Sequence, residues 1–454
     1  MKSEIKTAKF GGSSVADAIQ IQKIKHIITS DPSRKYIVVS APGERFKGDN
    51  KITDLLYLCK THIDHNVPYD QIFQVICDRY TAMEAGLGVN TGLAGRFDEI
   101  RARLQSGATS DYIASRGEYL NAVIIAAYIG FDFVDAEGIV LFDQKGKFLF
   151  EDTNEALRAE LAKHKRAVLP GFYGSKPNGE IKTFSRGGAD ISGAVVARAS
   201  GAAVYENWTD VSGFLMADPR IVHNPKAIGA ISYKELRELS YMGASVLHES
   251  AIYPARLANI PINIRNTNAP EEPGTRIIAE TVEENGSIIT GIAGNRDFTV
   301  INVYKNMMSS ELGFIRRLLS ILENYGIPVE HVPSGVDTVS VVVANAYLND
   351  KLGDVLEDFE RRIQPDSIEV FENMSLIATV GGRMASRPGV SAKLFAALYG
   401  AGVNIRMIDQ GSSEMNIIVG VENRDFETAI RAIYEAFVGG GEPEKSADSP
   451  VLAD

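Results

Sequence analysis

Two features predict the fold class: short apolar strands that end in glycine turns and run into helical patterns, and an internal repeat in the last third. Together they predict an α/β chain, an αβα sandwich on a mainly parallel sheet followed by two small βαββαβ domains. Size agrees, because 454 residues correspond to about three domains at ~150 residues each. With 45% hydrophobic and 23% charged residues, the chain has the composition of a globular protein and not of a disordered or fibrous one.

The elements follow in order. Lys6–Phe10 is a strand that runs straight into G-G-S-S, residues 36–40 form an apolar run closing in A-P-G, and residues 167–169 end in P-G. Helical patterns cover residues 52–59 and 119–128. Such alternation puts helices on both faces of the sheet and ligands at the carboxyl ends of its strands. In the last third, Gly313 laid on Gly389 begins a match without a gap: Leu318 falls on Leu394, Leu322 on Leu398, Gly326 on Gly402, Val329 on Ile405 and Gly335 on Gly411. Each copy reads as strand, helix, glycine turn, strand, turn, strand, helix, which marks a tandem duplication. The expected domains are residues 1–290, 298–370 and 374–440, with the first boundary in the glycine- and acid-rich stretch 279–294. A polar, glycine- and proline-rich tail, 441–454, is expected to be disordered.

Charge and composition exclude whole classes of partner. The 47 basic and 58 acidic residues give a net charge of −11, and no basic run offers a nucleic acid or acidic membrane a foothold. The longest near-apolar stretch, residues 122–131, falls short of the ~20 residues of a membrane span. Residues 1–6 contain an early acid and no apolar core, so no secretory signal is read there. Only Cys59 and Cys77 are present, which suits a reducing, cytoplasmic setting and no disulfide framework. No metal site is expected: His62 and His65 have no third ligand nearby.

Four loops could carry chemistry. In K-F-G-G-S-S, a strand delivers Lys9, while Gly11, Gly12 and Ser13 let backbone N–H groups approach an anion, helped by a helix expected to begin near Val15. The same loop also reads as a tight turn with a solvated lysine. F-S-R-G-G-A-D presents Arg186, a fork for carboxylate or phosphate, and Asp190, which equally reads as a helix cap. W-T-D-V-S-G-F-L-M-A-D-P-R holds Thr209, Asp210 and Arg220, or is a polar loop with one ion pair. S-R-G-E before the 119–128 helix has the form of a capping box, with Ser115 as cap and Glu118 three residues on. No Walker A loop, no G-x-G-x-x-G after a strand and no G-x-S-x-G elbow occurs.

These four motifs, in this order and ahead of the two repeats, resemble aspartate kinase over nearly the whole chain, residues 6–438. The resemblance implies the amino-acid kinase fold with two C-terminal ACT-type domains, in the monofunctional form. It implies transfer of the γ-phosphoryl group of ATP, with Mg2+, to the side-chain carboxylate of L-aspartate. By motif, Lys9 would stabilise the phosphoryl group in flight and Asp190 would organise the charges around it. Arg186 would hold the substrate carboxylate and Glu118 its ammonium, with Ser40 and Thr53 lining the pocket. Gly11, Gly12, Ser13, Thr209, Asp210 and Arg220 would surround ATP. An aspartate side chain is already ionised at pH 7, so such a reaction needs no general base.

Two departures fall where the nucleotide is expected. The family's F-G-A-K-V-L-H-P is M-G-A-S-V-L-H-E here, with Ser245 and Glu249 in place of lysine and proline, and an aromatic of the W-T-D-V segment is Leu215. ACT repeats pair and bind amino-acid effectors, so the resemblance implies a homo-oligomer through these domains. The effector, lysine ahead of threonine, would lie near Met308, Gly313, Val329, Glu330 and Ser334. Two other readings stay open: a catalytically inactive amino-acid sensor on a kinase scaffold, and a kinase of the same fold with another substrate.

Overall fold

The computed structural model describes residues 5–185, 187–244, 249–280 and 287–439. By internal contacts these fall into two units, each described by itself. One comprises residues 1–214, 227–233 and 246–282, the other residues 215–226, 234–245 and 283–454. The expected tail at 441–454 and residues 281–286 of the acid-rich stretch lie outside the described residues.

The first unit is built on β1 (Lys6–Phe10), β2 (Arg34–Val39), β3 (Asp132–Phe133), β4 (Ala167–Pro170), β7 (Val204–Thr209), β8 (Ala230–Ser232), β9 (Ile262–Asn266) and β10 (Thr275–Ile278), with a side hairpin of β5 (Tyr173–Ser175) and β6 (Ile181–Thr183). The order in the main sheet is β3-β4-β2-β1-β7-β9-β10-β8. All neighbours run parallel except β9 and β10. Its central strands are buried on both faces, as suits a parallel sheet covered by helices on both sides. The short strand β6, ahead of F-S-R-G-G-A-D, pairs antiparallel with β5 in the hairpin, outside the main sheet. Around the sheet lie α1 (Ala18–Ser30), α2 (Ile52–Asp64), α3 (Asp70–Leu87), α4 (Leu93–Gln105), α5 (Ser110–Ile129), α6 (Phe150–Leu161) and α7 (Gly188–Ser200).

Two expected helix starts move. The helix anticipated near Val15 is a 3-10 turn, Gly12–Val15, and α1 begins at Ala18, where the Asp17 carboxylate accepts from Gln20 N–H at 2.9 Å. The helix read at 119–128 begins at Ser110, where Thr109 Oγ1 accepts from Tyr112 N–H at 3.2 Å. Ser115 and Glu118 are therefore helix interior, and the capping box does not exist. Cys59 and Cys77 are buried in α2 and α3. Burial pushes their thiols up to about 12 and about 11, so both stay protonated. Further along the chain come α8 (Tyr233–Tyr241) and α9 (Glu249–Leu257).

In the second unit, β11 (Gly291–Tyr304), β12 (Thr338–Ala344), β13 (Ser367–Val380), β14 (Met407–Asp409) and β15 (Asn416–Glu422) form one antiparallel sheet, ordered β12-β11-β13-β15-β14. It is covered by α10 (Phe314–Asn324), α11 (Asn345–Leu348), α12 (Leu352–Ile363), α13 (Val390–Gly400) and α14 (Phe426–Tyr434). Both long strands are shared between the repeats. Residues 298–304 of β11 pair with β12, whereas residues 291–295 pair with 376–380 of β13. The closing strand of the second repeat thus comes from the chain before the first. Among the described residues, no helix is long and apolar enough to cross a membrane.

Candidate active site

Lys9 on β1 and Asn207 on β7 are register partners near the carboxyl ends of adjacent parallel strands. Asp190 stands in the first turn of α7. The three meet: Lys9 Nζ is 2.5 Å from Asp190 Oδ1 and 3.4 Å from Asn207 Oδ1, and Asn207 Nδ2 donates to Asp190 Oδ1 at 2.9 Å. Behind them the Tyr205 hydroxyl donates to the Asp190 carbonyl at 3.1 Å. A buried ammonium is thus aimed by two side chains on one side. Asn207 was not expected from the sequence; a polar residue inside the buried strand β7 was the available signal.

Beside the lysine, two glycine turns press backbone to backbone. Gly11 N–H donates to the Trp208 carbonyl at 2.9 Å, and Gly43 N–H to the Gly12 carbonyl at 2.9 Å. A Cβ on Gly43 would lie 2.7 Å from the Gly12 carbonyl carbon, and one on Gly12 would lie 3.2 Å from the Ala41 carbonyl oxygen. Only glycine permits this approach. The turns wall a cavity of about 710 Å3, lined among others by Gly12, Ser13, Ser40, Thr53, Glu118 and Asp210.

Glu118 is the most perturbed group in that cavity. Nine residues into α5 and 5% exposed, it has one carboxylate oxygen, Oε2, buried without a partner. Burial pushes its carboxyl up to about 8, against the opposing pull of the Ala41 backbone N–H and the Arg116 charge. One turn further on, Asn121 donates to the Ser40 carbonyl at 2.7 Å while its Oδ1 is also buried and unpartnered. Two acceptors lacking donors on one helix face suit a ligand that carries N–H groups.

The remaining expected residues divide. Thr209 closes β7 and its hydroxyl donates to Asp210 Oδ1 at 3.1 Å. Arg186 and Ser245 lie outside the described residues, as does the Glu249 side chain. Arg220 and Leu215 belong to the second unit, where the Arg220 side chain is 88% exposed and pairs with Asp218 at 2.6 Å. Of the expected effector residues, Met308 is buried in a 3-10 turn and Gly313, at φ +75°, precedes α10. Val329 packs on the first-repeat core, and Glu330 N–H donates to the Val342 carbonyl at 2.8 Å while its carboxylate accepts from the Tyr241 hydroxyl. Ser334 bridges to Val339, and Ser309 N–H donating to the Val336 carbonyl at 3.2 Å brings the Met308 turn beside that segment.

Parallel strands that deliver a lysine–carboxylate pair to glycine turns and a polar cavity define an α/β enzyme that handles anions with fixed charges and backbone donors. The comparisons agree and go further. Residues 5–266 match the model of the amino acid kinase family and residues 377–437 that of the ACT domain. Aspartokinase 3 of Bacillus subtilis is 36% identical over 451 residues, covering 96% of this chain and 99% of the relative. The crystal structure of Clostridium acetobutylicum aspartate kinase is 52% identical, with a TM-score of 0.90 over 96% of this chain and 100% of that one. Escherichia coli aspartokinase III, solved with aspartate and ADP, shares the fold at 24% identity and a TM-score of 0.71. The chain belongs to the amino acid kinase family and, within it, to the aspartokinases.

Proposed function

We propose that this aspartokinase transfers the γ-phosphoryl group of ATP to the side-chain carboxylate of L-aspartate, giving 4-phospho-L-aspartate and ADP, with Lys9, Asp190 and the Glu118 cavity as its working parts. The observation that carries the assignment of parts is the buried Lys9 ammonium held by the adjoining Asp190 and Asn207 side chains, with Gly11 beside it. A carboxylate oxygen of aspartate attacks the γ-phosphorus, the bond from that phosphorus to the bridging oxygen breaks, and ADP leaves with the electron pair. The nucleophile is already ionised, so no base is needed. The work left is alignment and charge stabilisation, which a lysine and converging N–H groups supply.

Glu118 fits the substrate ammonium, whose donors would fill the empty Oε2. Ser40 and Thr53 line the same cavity, and Arg186 is assigned the α-carboxylate on its motif alone. Gly11, Gly12, Ser13, Thr209 and Asp210 are assigned to the nucleotide; Arg220 would have to exchange Asp218 for a phosphate to join them. Among the described residues no three His, Cys, Asp or Glu side chains converge on a metal position. The Asp210 carboxylate in the cavity lining is an oxygen donor that would suit Mg2+ entering on the nucleotide. Once there, the ion would neutralise charge on the β- and γ-phosphates.

The product opens the biosynthesis of lysine, threonine and methionine, which makes control by an end product chemically sensible. An amino-acid effector is proposed at the first repeat, lysine ahead of threonine because Glu330 offers a carboxylate, with self-association through the ACT-type domains. Trapping the acyl phosphate as a hydroxamate tests the reaction. With Mg2+, ATP and hydroxylamine, aspartate should yield hydroxamate in proportion to enzyme, and lysine should suppress it. A folded sample that yields none would end this reading.

A further inference from the structure

Behind the cavity, outside its lining, lies a buried cation that the mechanism above does not use. Arg79 projects from α3 with a side chain 5% exposed. Its guanidinium reaches three separate stretches of backbone. Nη1 donates to the Asn50 carbonyl at 2.6 Å, and Nη2 donates to the Ala16 carbonyl at 3.2 Å and to the Gly43 carbonyl. Asp49 is its nearby counter-charge, at 3.6 Å, and that carboxylate is also gripped by Arg45 Nε at 2.7 Å. Nε of Arg79 is buried without a partner. The head group is therefore placed by the loop carbonyls and not by its own stem.

The acceptors are informative in position. Gly43 and Asn50 are the two ends of the loop that forms one side of the cavity, and Ala16 follows directly on the Gly12–Val15 turn that forms another. Between its anchored ends the loop is exposed, with Phe46 66% accessible. Just past Asn50, Ile52 N–H donates to the Pro42 carbonyl at 3.2 Å and opens α2, which carries Thr53. The neighbouring α3 residue, Tyr80, donates to the Gly117 carbonyl at 2.7 Å, beside Glu118. Consecutive residues of one helix thus hydrogen-bond backbone carbonyls on two segments that neighbour the cavity.

We infer that Arg79 is a positioning residue: its planar fork ties both ends of the 43–50 loop to each other and to the backbone behind the first glycine turn, holding Gly12 against Gly43 and Thr53 at the cavity. Elsewhere α3 packs through Phe73, Ile76 and Met83, an apolar contact that does not need a charge. Lysine cannot replace the fork, because one ammonium cannot span carbonyls that two guanidinium nitrogens reach separately. Desolvation works against the guanidinium charge, and the Asp49 carboxylate supports it.

The consequence for rate rests on the aspartate kinase reading, but the structural consequence does not. Amide hydrogen exchange in the ligand-free protein should be faster over residues 43–53 in Arg79→Ala and Arg79→Lys, with exchange in the central strands unchanged. In steady-state assays both variants should lose about 10²-fold in kcat/KM for aspartate, the cost of a small misplacement. Low-millimolar guanidinium should restore several-fold activity to Arg79→Ala and leave the wild type unaffected. Unchanged exchange over 43–53 would overturn the proposal, as would acceleration spread through the sheet or a loss that guanidinium does not relieve. If the wild-type protein made no acyl phosphate, the functional reading would fall while the exchange result still decided the role of Arg79.

Discussion

Strand β7 carries an ionic cluster on each face, and the two are built to opposite ends. On one face Glu206 accepts from Arg34 Nε at 2.7 Å and from Trp208 Nε1 at 2.9 Å, while Arg34 also donates to the Ile27 carbonyl of α1 at 2.6 Å. Trp208 stacks on Phe10, with ring centroids 5.9 Å apart. On the other face Asn207 and Tyr205 serve Asp190 and, through it, Lys9. Side-chain exposures of 6% and 2% for Arg34 and Glu206, against 8% and 19% for Lys9 and Asp190, separate the two. The first pair is sealed and saturated, so its charges hold the sheet to α1. The second opens toward a ligand through its carboxylate, and its ammonium is gripped from one side only. Saturation separates a structural pair from a working one.

The comparison can be broken most sharply at the sealed pair. Glu206→Ala would strand Arg34 as an uncompensated buried charge and cost about 3–5 kcal/mol of stability. Thermal melting should show the loss, while kcat of the surviving folded fraction stays near wild type; a kinetic defect without a melting defect would reverse the assignment. Lys9→Ala should do the converse, lowering kcat by about 10²–10³-fold with little change in melting temperature.

Glu118 sharpens the contrast by pH. With a native pKa near 8 and an ordinary value of 4.5, the folded protein holds a proton that the unfolded chain has released between those values. Stability should therefore fall as pH rises through that window, and Glu118→Gln should melt higher than wild type at pH 8. The charged form is the one that binds an ammonium. The aspartate KM should thus drop by up to about tenfold per unit of rising pH below that pKa, a slope that Glu118→Gln should abolish. The smallest effect belongs to Asn207→Ala, which removes one of two supports of the Lys9–Asp190 pair. A loss of about 1 kcal/mol in transition-state stabilisation, or several-fold in kcat, is expected, readable in the same assay at saturating substrates.

The parallel sheet was legible because its strands are apolar runs that stop at glycine, and the repeats because their helices and turns recur without a gap. The start of α5 was misplaced, because S-R-G-E before residue 119 has the form of a capping box while the helix begins at Ser110. The residues S-D-Y-I-A before that motif show little helical amphipathicity, since α5 is buried on nearly all sides and has no polar face to set a period. Asn207 and Arg79 carry no motif: one works through a register partner 198 positions away and the other through backbone carbonyls. Arg220 was grouped with Thr209 and Asp210 by motif order, yet belongs by contact to the other unit.

The shared strand β11 has a consequence in time. Its residues 291–295 precede the first repeat but complete the second by pairing with residues 376–380. On a ribosome adding 5–20 residues per second, that segment waits roughly 4–16 s for its partner while the first repeat folds in between. During the wait it is an open strand edge, able to pair with the same segment of a neighbouring nascent chain. The nested order therefore makes the last-made third of the protein the step at which correct closure and exchange between chains compete.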